Sequence, residues 1–259
     1  MERLMTGGRD IAVSLDAASQ LAHVEICRPP ANYFDTSLLA ALADAMHELE
    51  ADGLCRAIVL SARGRHFSAG ANLHDMAADE DVELLYSEAV RLFEVGLPIV
   101  AAVQGAAVGG GLGLALVADF RIATPGTRFV CPFARLGLHH GFGLTVTLPR
   151  VIGFQRATEL LYTGGELHGP AALASGLCDR LVTEDQLLET AAGLADVIAH
   201  AGPLAVRAIR RTMRADLANQ VRQATRHEWA EQQALGRTKD FAEGVSASAE
   251  RRSPTFSGE

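Results

Sequence analysis

Aromatic side chains are scarce in this chain: one tryptophan, three tyrosines and ten phenylalanines among 259 residues. A core for a chain of this length must then be filled largely by Ala, Leu and Val, which suits helices packed closely on a small-residue sheet. Cysteine is also sparse. Cys27, Cys55, Cys131 and Cys178 form no CxxC pair and stand beside no His pair at ligand spacing. Neither a disulfide framework nor a metal site is expected from them. Reduced thiols in a cytoplasmic protein are the expectation. Basic residues number 23 against 31 acidic ones, a formal charge of −8. That balance excludes nonspecific nucleic-acid binding, and an anionic ligand would need a local basic patch. Long apolar runs are missing too. The longest, 97–118, is broken by Pro98 and five glycines, so no membrane span is expected. The first residues, MERLMTGGRDIAVSL, show neither an apolar h-region nor a cleavage site.

What is present is an alternation of strand-like and helix-like segments. Residues 11–15 and 21–26 read as short strands around a turn. Thr36 is a plausible N-cap for a helix carrying Leu38, Leu39, Leu42, Met46 and Leu49, and Gly53 ends it. RAIVLS (56–61) reads as a buried strand, 81–95 as an amphipathic helix and 99–103 as the next strand. Such an order suggests βαβ units and a largely parallel sheet. Beyond Gly153 nearly every segment reads as helical, with 178–182 as the one strand. The chain therefore divides into an α/β core, 1–197, and a helical region, 198–259. Arg207, Arg210, Arg211 and Arg214 form a basic face there, read as a solvated surface, an oligomer contact or a phosphate site.

Two glycine loops carry the chemistry. GRHFSAGANL (64–73) follows a buried strand, and its small residues let the backbone approach a ligand closely. GAAVGGGLG (105–113) lies between a strand and an apolar helix. Three consecutive glycines are costly to order, and free N–H groups at a helix start suit a developing negative charge. A dinucleotide fingerprint is the competitor, but GxGxxG does not occur in order and no acidic residue ends a second strand about 20 residues on.

With these loops in view, the chain resembles the enoyl-CoA hydratase/isomerase (crotonase) family. FSAGANL stands where that family has FxAGADL, and AAVQGAAVGGGLGLALVADFRIA matches its second loop and helix. The resemblance continues through LPRVIG, LLYTGGEL, ASGLCDRLV and DFAEGVSASAERRSPTF. It implies an α/β fold with a crotonase-like ββα spiral core and a C-terminal helical oligomerisation region. It implies an acyl-CoA thioester as partner, in a homotrimer or homohexamer, with coenzyme A entering as part of the substrate and no tightly bound cofactor. It implies backbone N–H donors at Ala69 and Gly110 for the thioester oxygen. Arg28, Pro30, Ala31, Arg65, Ala71, Asn72, Leu73 and Phe133 are the residues expected along the CoA and acyl path. Arg63 is a further basic candidate there. Arg251 and Arg252 are candidates to reach a neighbouring subunit's phosphate.

The resemblance breaks at the acid–base residues. The family's two hydratase glutamates fall on Gly113 and Phe133, and the isomerase acid falls on Gly141. Glutamate-pair hydration is therefore disfavoured against isomerisation or another enolate reaction. His139 and His140 are the neighbouring candidates for a general base, since an imidazole titrates near neutral pH. Tyr33, Asp35, His74, Asp75, Glu88, Arg91 and Glu94 are further polar residues near the expected pocket. The alternative is an acyl-CoA binder that kept the pocket and lost catalysis.

Overall fold

The computed structural model describes residues 2–5, 9–72 and 82–259. Strands β1 (Glu2–Met5), β2 (Ile11–Asp16) and β3 (Leu21–Ile26) form an antiparallel ribbon, with Ile11 opposite Ile26. Burial alternates along β2 and β3, as it does when one face of a sheet is covered. β4 (Ala57–Ala62) and β5 (Ile99–Val103) are buried at every position, which is why their sequences read as unbroken apolar runs. They pair in parallel, and β7 (Phe120–Ala123) and β10 (Arg180–Leu181) extend the sheet. The order is β1-β2-β3-β4-β5-β7-β10.

A second, small sheet was not legible in the sequence. It runs β6 (Ala106–Val108), β8 (Arg128–Val130) and β9 (Glu166–His168). Strands of three residues are too short to show a period.

Helix α1 (Thr36–Asp52) is capped by Asp35 rather than Thr36: the Asp35 carboxylate accepts from the Leu38 N–H at 2.8 Å. Gly53, at φ 72°, closes it in the left-handed region. α2 (Val82–Glu94) packs on α1, and α3 (Gly110–Ala115) follows the glycine run. A 3₁₀ turn at Phe133–Leu136 leads toward α4 (Leu144–Ile152), α5 (Phe154–Thr163), α6 (Gly169–Ser175) and α7 (Glu184–Ala199). α4 carries Pro149 inside it, the kind of residue that argues against a helix in sequence.

The last helices are α8 (Pro203–Met213), α9 (Leu217–Leu235) and α10 (Lys239–Glu250). α9 lies against α2 and α4, and α10 lies against the 3₁₀ turn. Leu217 and Val221 of α9 join the main apolar cluster of the sheet and helices. Of the four arginines of the basic face on α8, only Arg211 is exposed without an ion pair among the described residues. Arg207 pairs with Glu50, and Arg210 and Arg214 both pair with Asp119, at 2.8 and 2.9 Å. Burial alone would raise the Asp119 carboxyl, but the two guanidinium groups hold it below its ordinary range. These arginines fasten α8 to the strand side of the core.

Candidate active site

The first glycine loop is held on two sides. On one side Ser68 lies beside β6: its N–H donates to Ala106 at 3.2 Å, and its carbonyl accepts from Val108 at 2.9 Å. On the other side lies the 31–34 segment. The Ala69 N–H donates to the Ala31 carbonyl at 2.9 Å, and the Phe34 N–H donates to the Gly70 carbonyl at 3.0 Å. The Ala69 amide is thereby committed to Ala31 and is not free to meet a ligand. Gly70, between Ala69 and Ala71 and at φ 84°, breaks the alternation of extended backbone, so the N–H of Ala71 need not point to the same side as that of Ala69. Among the described residues the Ala71 N–H has no partner, and neither has the Gly110 N–H at the start of α3. The Ala69 amide, expected as the first donor, is therefore already paired, and Ala71 is the neighbouring amide of the loop left open.

Gly70 brings the two loops together. It sits at φ 84°, and a Cβ there would stand 2.7 Å from the Val108 carbonyl oxygen and 3.3 Å from the Gly110 nitrogen. Only glycine allows that approach. Ala71 and Gly110 both border a cavity of about 300 Å³. Phe34, Leu85, Phe133, Leu138 and Phe142 supply much of its apolar wall, and α10 closes one side with Val245 and Ala249.

Aromatic rings occupy the places where acid–base side chains were sought. A Cβ on Gly113 would meet the Phe142 ring at 2.6 Å, and one on Gly110 would meet Phe34 at 2.5 Å. The Phe34 and Phe142 rings lie 5.3 Å apart. Phe133, at the second glutamate position, packs against Gly109 and lines the cavity. Among the described residues that line it, none is a carboxylate, an imidazole or an amine.

The two histidines do not reach the cavity wall. Their rings stack on each other with centroids 4.1 Å apart. His139 Nδ1 meets the His140 carbonyl at 2.7 Å, and His140 Nε2 meets the Thr145 hydroxyl at 2.8 Å. Burial, with the neighbouring His139 and His227 imidazoles, pushes His140 down to about 4. Thr145 in turn donates to Glu228, which is fully buried and also accepts the N–H groups of Gly143 and Thr145 at 2.8 and 3.0 Å. The pair therefore belongs to the bracing of the 139–145 loop.

The expected CoA residues fall in different settings. Arg28 is half-buried and held by Asp10 and Asp35 at 2.8 and 2.7 Å. Arg63 is paired with Glu25 at 2.6 Å, whereas Arg65 is exposed and without an ion-pair partner among the described residues. Pro30 and Ala31 border the first loop through the Ala31 carbonyl, and Asn72 lines the cavity. Leu73, His74 and Asp75 lie outside the described residues. Glu88 and Arg91 pair with each other, and Arg91 also pairs with Asp44. Arg222 pairs with Glu94, and Arg252 with Glu243 and Glu250.

Sequence reasoning missed three residues. Asn32 is completely buried: its Oδ1 accepts from the Arg28 N–H at 3.0 Å, and its Nδ2 donates to the Arg63 and His66 carbonyls at 2.8 and 2.7 Å. It latches the 28–34 segment to the first loop. Tyr86 of α2 and Gln232 of α9 line the cavity, and the phenol donates to the Gln232 side-chain oxygen at 2.7 Å. No sequence signal marks them, because α2 and α9 meet only in the folded chain.

A mixed sheet with a parallel centre, flanked by helices, with two glycine loops touching beside an apolar cavity, is the architecture of the crotonase fold. The sequence model of the enoyl-CoA hydratase/isomerase family matches residues 16–259, and the chain belongs to that family. It is 32% identical over 256 residues to a probable enoyl-CoA hydratase of Bacillus subtilis (strain 168), covering 96% of this chain and 99% of that one. It is 34% identical over 237 residues to the 1,2-epoxyphenylacetyl-CoA isomerase of Escherichia coli (strain K12), covering 88% and 90%. The crystal structure of an enoyl-CoA hydratase/isomerase from Pseudoalteromonas atlantica T6c superposes with a TM-score of 0.87 at 30% identity, covering 96% of this chain and all of that one. The protein is thus a hydratase/isomerase-type enzyme of a family that acts on CoA thioesters.

Proposed function

We propose that the cavity takes the acyl end of a CoA thioester and that the N–H groups of Ala71 and Gly110 hold its carbonyl oxygen. The observation that carries this reading is that both amides are without a partner among the described residues and border one cavity, on loops brought together by Gly70. Such donors bind the oxygen more strongly as it gains charge, so they favour an enolate over the bound ester. Arg65, exposed and without an ion-pair partner among the described residues, is open to the CoA phosphates, whereas Arg28 is already held by two carboxylates.

The reaction favoured is double-bond isomerisation or another enolate step rather than glutamate-pair hydration. Gly113 and Phe133 replace both glutamates, and the space beside Gly113 is filled by Phe142. The relative named 1,2-epoxyphenylacetyl-CoA isomerase suggests adding a ring-bearing thioester to the panel tested. Crotonyl-CoA, a 3-enoyl-CoA and phenylacetyl-CoA are titrated for binding, and the thioester absorbance of the first two is followed for turnover. Isomerisation of the 3-enoyl-CoA with slow or no hydration of crotonyl-CoA is expected. Rapid hydration of crotonyl-CoA would overturn the reaction assignment, and no binding of any thioester would overturn the site. A second reading, binding without turnover, is favoured by the lack of a carboxylate, imidazole or amine in the described lining. It predicts tight binding and unchanged thioesters.

Self-association into a trimer or a hexamer is part of the same proposal. Leu204, Ile209 and Met213 of α8 are 82%, 62% and 67% exposed, and no residue of that helix is fully buried. Apolar side chains left open in this number are normally covered by a partner. Sedimentation of the purified protein would show a single monomer if this were wrong.

A further inference from the structure

Helix α4 begins without a cap of its own. Gly143 precedes it and has no side chain to accept from its first N–H groups. Glu228 of α9 supplies the acceptor from 85 residues away. One carboxylate oxygen accepts the Gly143 N–H at 2.8 Å. The other accepts the Thr145 N–H at 3.0 Å and the Thr145 hydroxyl at 2.6 Å. An anion in this place also meets the positive end of the α4 dipole. Glu228 is 0% exposed, and a carboxylate so deeply buried is tolerated only where donors converge on it, as they do here.

What the carboxylate holds is the backbone beside Phe142. Phe142 and Gly143 lie at φ 63° and 71°, and a bulky side chain enters that left-handed region only where its surroundings enforce it. α9 enforces it from two sides. Glu228 grips the loop at 143 and 145, and Gln232, one helical turn on, donates to the His139 carbonyl at 2.9 Å. Phe142 is thereby pressed onto α3. A Cβ on Gly110 would stand 3.5 Å from its ring, and one on Gly113 would stand 2.6 Å from it. The ring buttresses the turn of α3 that carries the Gly110 N–H, and it forms the cavity wall beside that donor.

We propose that Glu228 is a positioning residue for the reaction: through Gly143, Thr145 and Phe142 it fixes the aim of the Gly110 N–H and the wall against which a thioester carbonyl must lie. The inference rests on the acyl-CoA reading of the cavity. Glu228 is not among the residues that line the cavity, so its effect passes through the loop and the ring. The link is a continuous set of contacts, from carboxylate to loop, from ring to helix and from helix to donor. A backbone donor cannot be re-aimed by a rotamer change. It points where its helix is held, and stabilisation of an oxyanion depends on that aim.

The test reads the donors directly. The diene of 2,4-hexadienoyl-CoA is conjugated with the thioester carbonyl, so its ultraviolet band moves to longer wavelength when hydrogen bonds polarise that oxygen. The unaltered full chain, titrated to saturation, is expected to produce such a shift. Glu228→Gln keeps the shape but turns an NH₂ toward one of the present donors, so the loop must move away from it. That variant is expected to lose about half of the shift or more per bound molecule, while Kd rises by less than about tenfold. A residue that only stabilised the fold would lower the melting temperature and leave the shift of each bound thioester intact. Thr145→Val, which removes one of the three donors and keeps the carboxylate, guards against a first variant that does not fold, and a smaller loss is expected from it. A full shift in every variant that folds would overturn the inference and leave the acyl-CoA reading standing. No binding, or binding without a shift, in the unaltered protein would overturn that reading and the inference with it.

Discussion

Restoring a carboxylate at position 113 is the most direct challenge to the account of this site. A Cβ on Gly113 would lie 2.6 to 2.7 Å from three carbons of the Phe142 side chain. Real contacts of that kind do not fall below about 3 Å, so the ring or the helix must move. Phe142 has little room to retreat. It is 1% exposed, its ring is flanked by Phe34 and Phe93 at 5.3 and 6.4 Å, and its backbone already sits at φ 63°. Overpacking of this sort costs about 2–3 kcal/mol. Alanine in place of a helical glycine recovers up to about 1 kcal/mol, so Gly113→Ala should lose about 1–2 kcal/mol net. Gly113→Glu adds a carboxyl in apolar surroundings and should lose about 3–4 kcal/mol in all. For a chain of this length each kcal/mol moves the melting temperature by about 2–4 °C. Thermal unfolding of both variants, with and without Phe142→Ala, gives a double-mutant cycle. Removing the ring should erase the penalty at 113, a coupling of about 1–3 kcal/mol. A Gly113→Ala variant as stable as the parent would refute the packing argument. Fast hydration of crotonyl-CoA by Gly113→Glu alone would show that the ring does not block the carboxylate.

Other substitutions separate the remaining roles. Ala71→Pro removes the free donor and should lower turnover or transition-state-analogue binding by about 10²–10³. Ala69→Pro instead breaks the bond to Ala31 and should appear first as lost thermal stability; the opposite pattern would restore Ala69 as the donor. Asn32→Leu leaves the Arg28 N–H and two carbonyls without their partners and should cost roughly 3 kcal/mol or more, read by denaturant unfolding. His140 is held at about 4, below its unfolded value near 6.5, so its contribution to stability is present above pH 6.5 and is lost as the pH falls toward 4. The full loss is about 3 kcal/mol, and His140→Asn should flatten the stability profile in that window relative to the parent. An unchanged slope would show that His140 is not the titrating group.

Periodicity and punctuation carried much of the fold. The unbroken runs of β4 and β5 come from burial on both faces, and the spacing of Leu38, Leu42, Met46 and Leu49 comes from one helical stripe. The glycine loops were legible because close backbone approach leaves no other residue type, and their order along the chain revealed the family. What the sequence could not convey was direction and encounter. Which of Ala69 and Ala71 frees its N–H depends on how the loop turns at Gly70 between residues 31–34 and β6, segments distant in sequence. The short strands β6, β8 and β9 exist only through pairing with one another, across segments distant in sequence. His139 and His140 looked like bases because an imidazole titrates near neutrality, but the buried Glu228, from a helix some 85 residues further on, draws their loop into a structural network. Tyr86 and Gln232 meet across 146 positions of sequence. Local propensity and composition are properties of neighbours in the chain, and they marked the elements and the glycine loops; the class of ligand followed from the family those loop motifs resemble. The surroundings of the reacting carbon are made by side chains brought together from separate elements, so only the tertiary structure decided them.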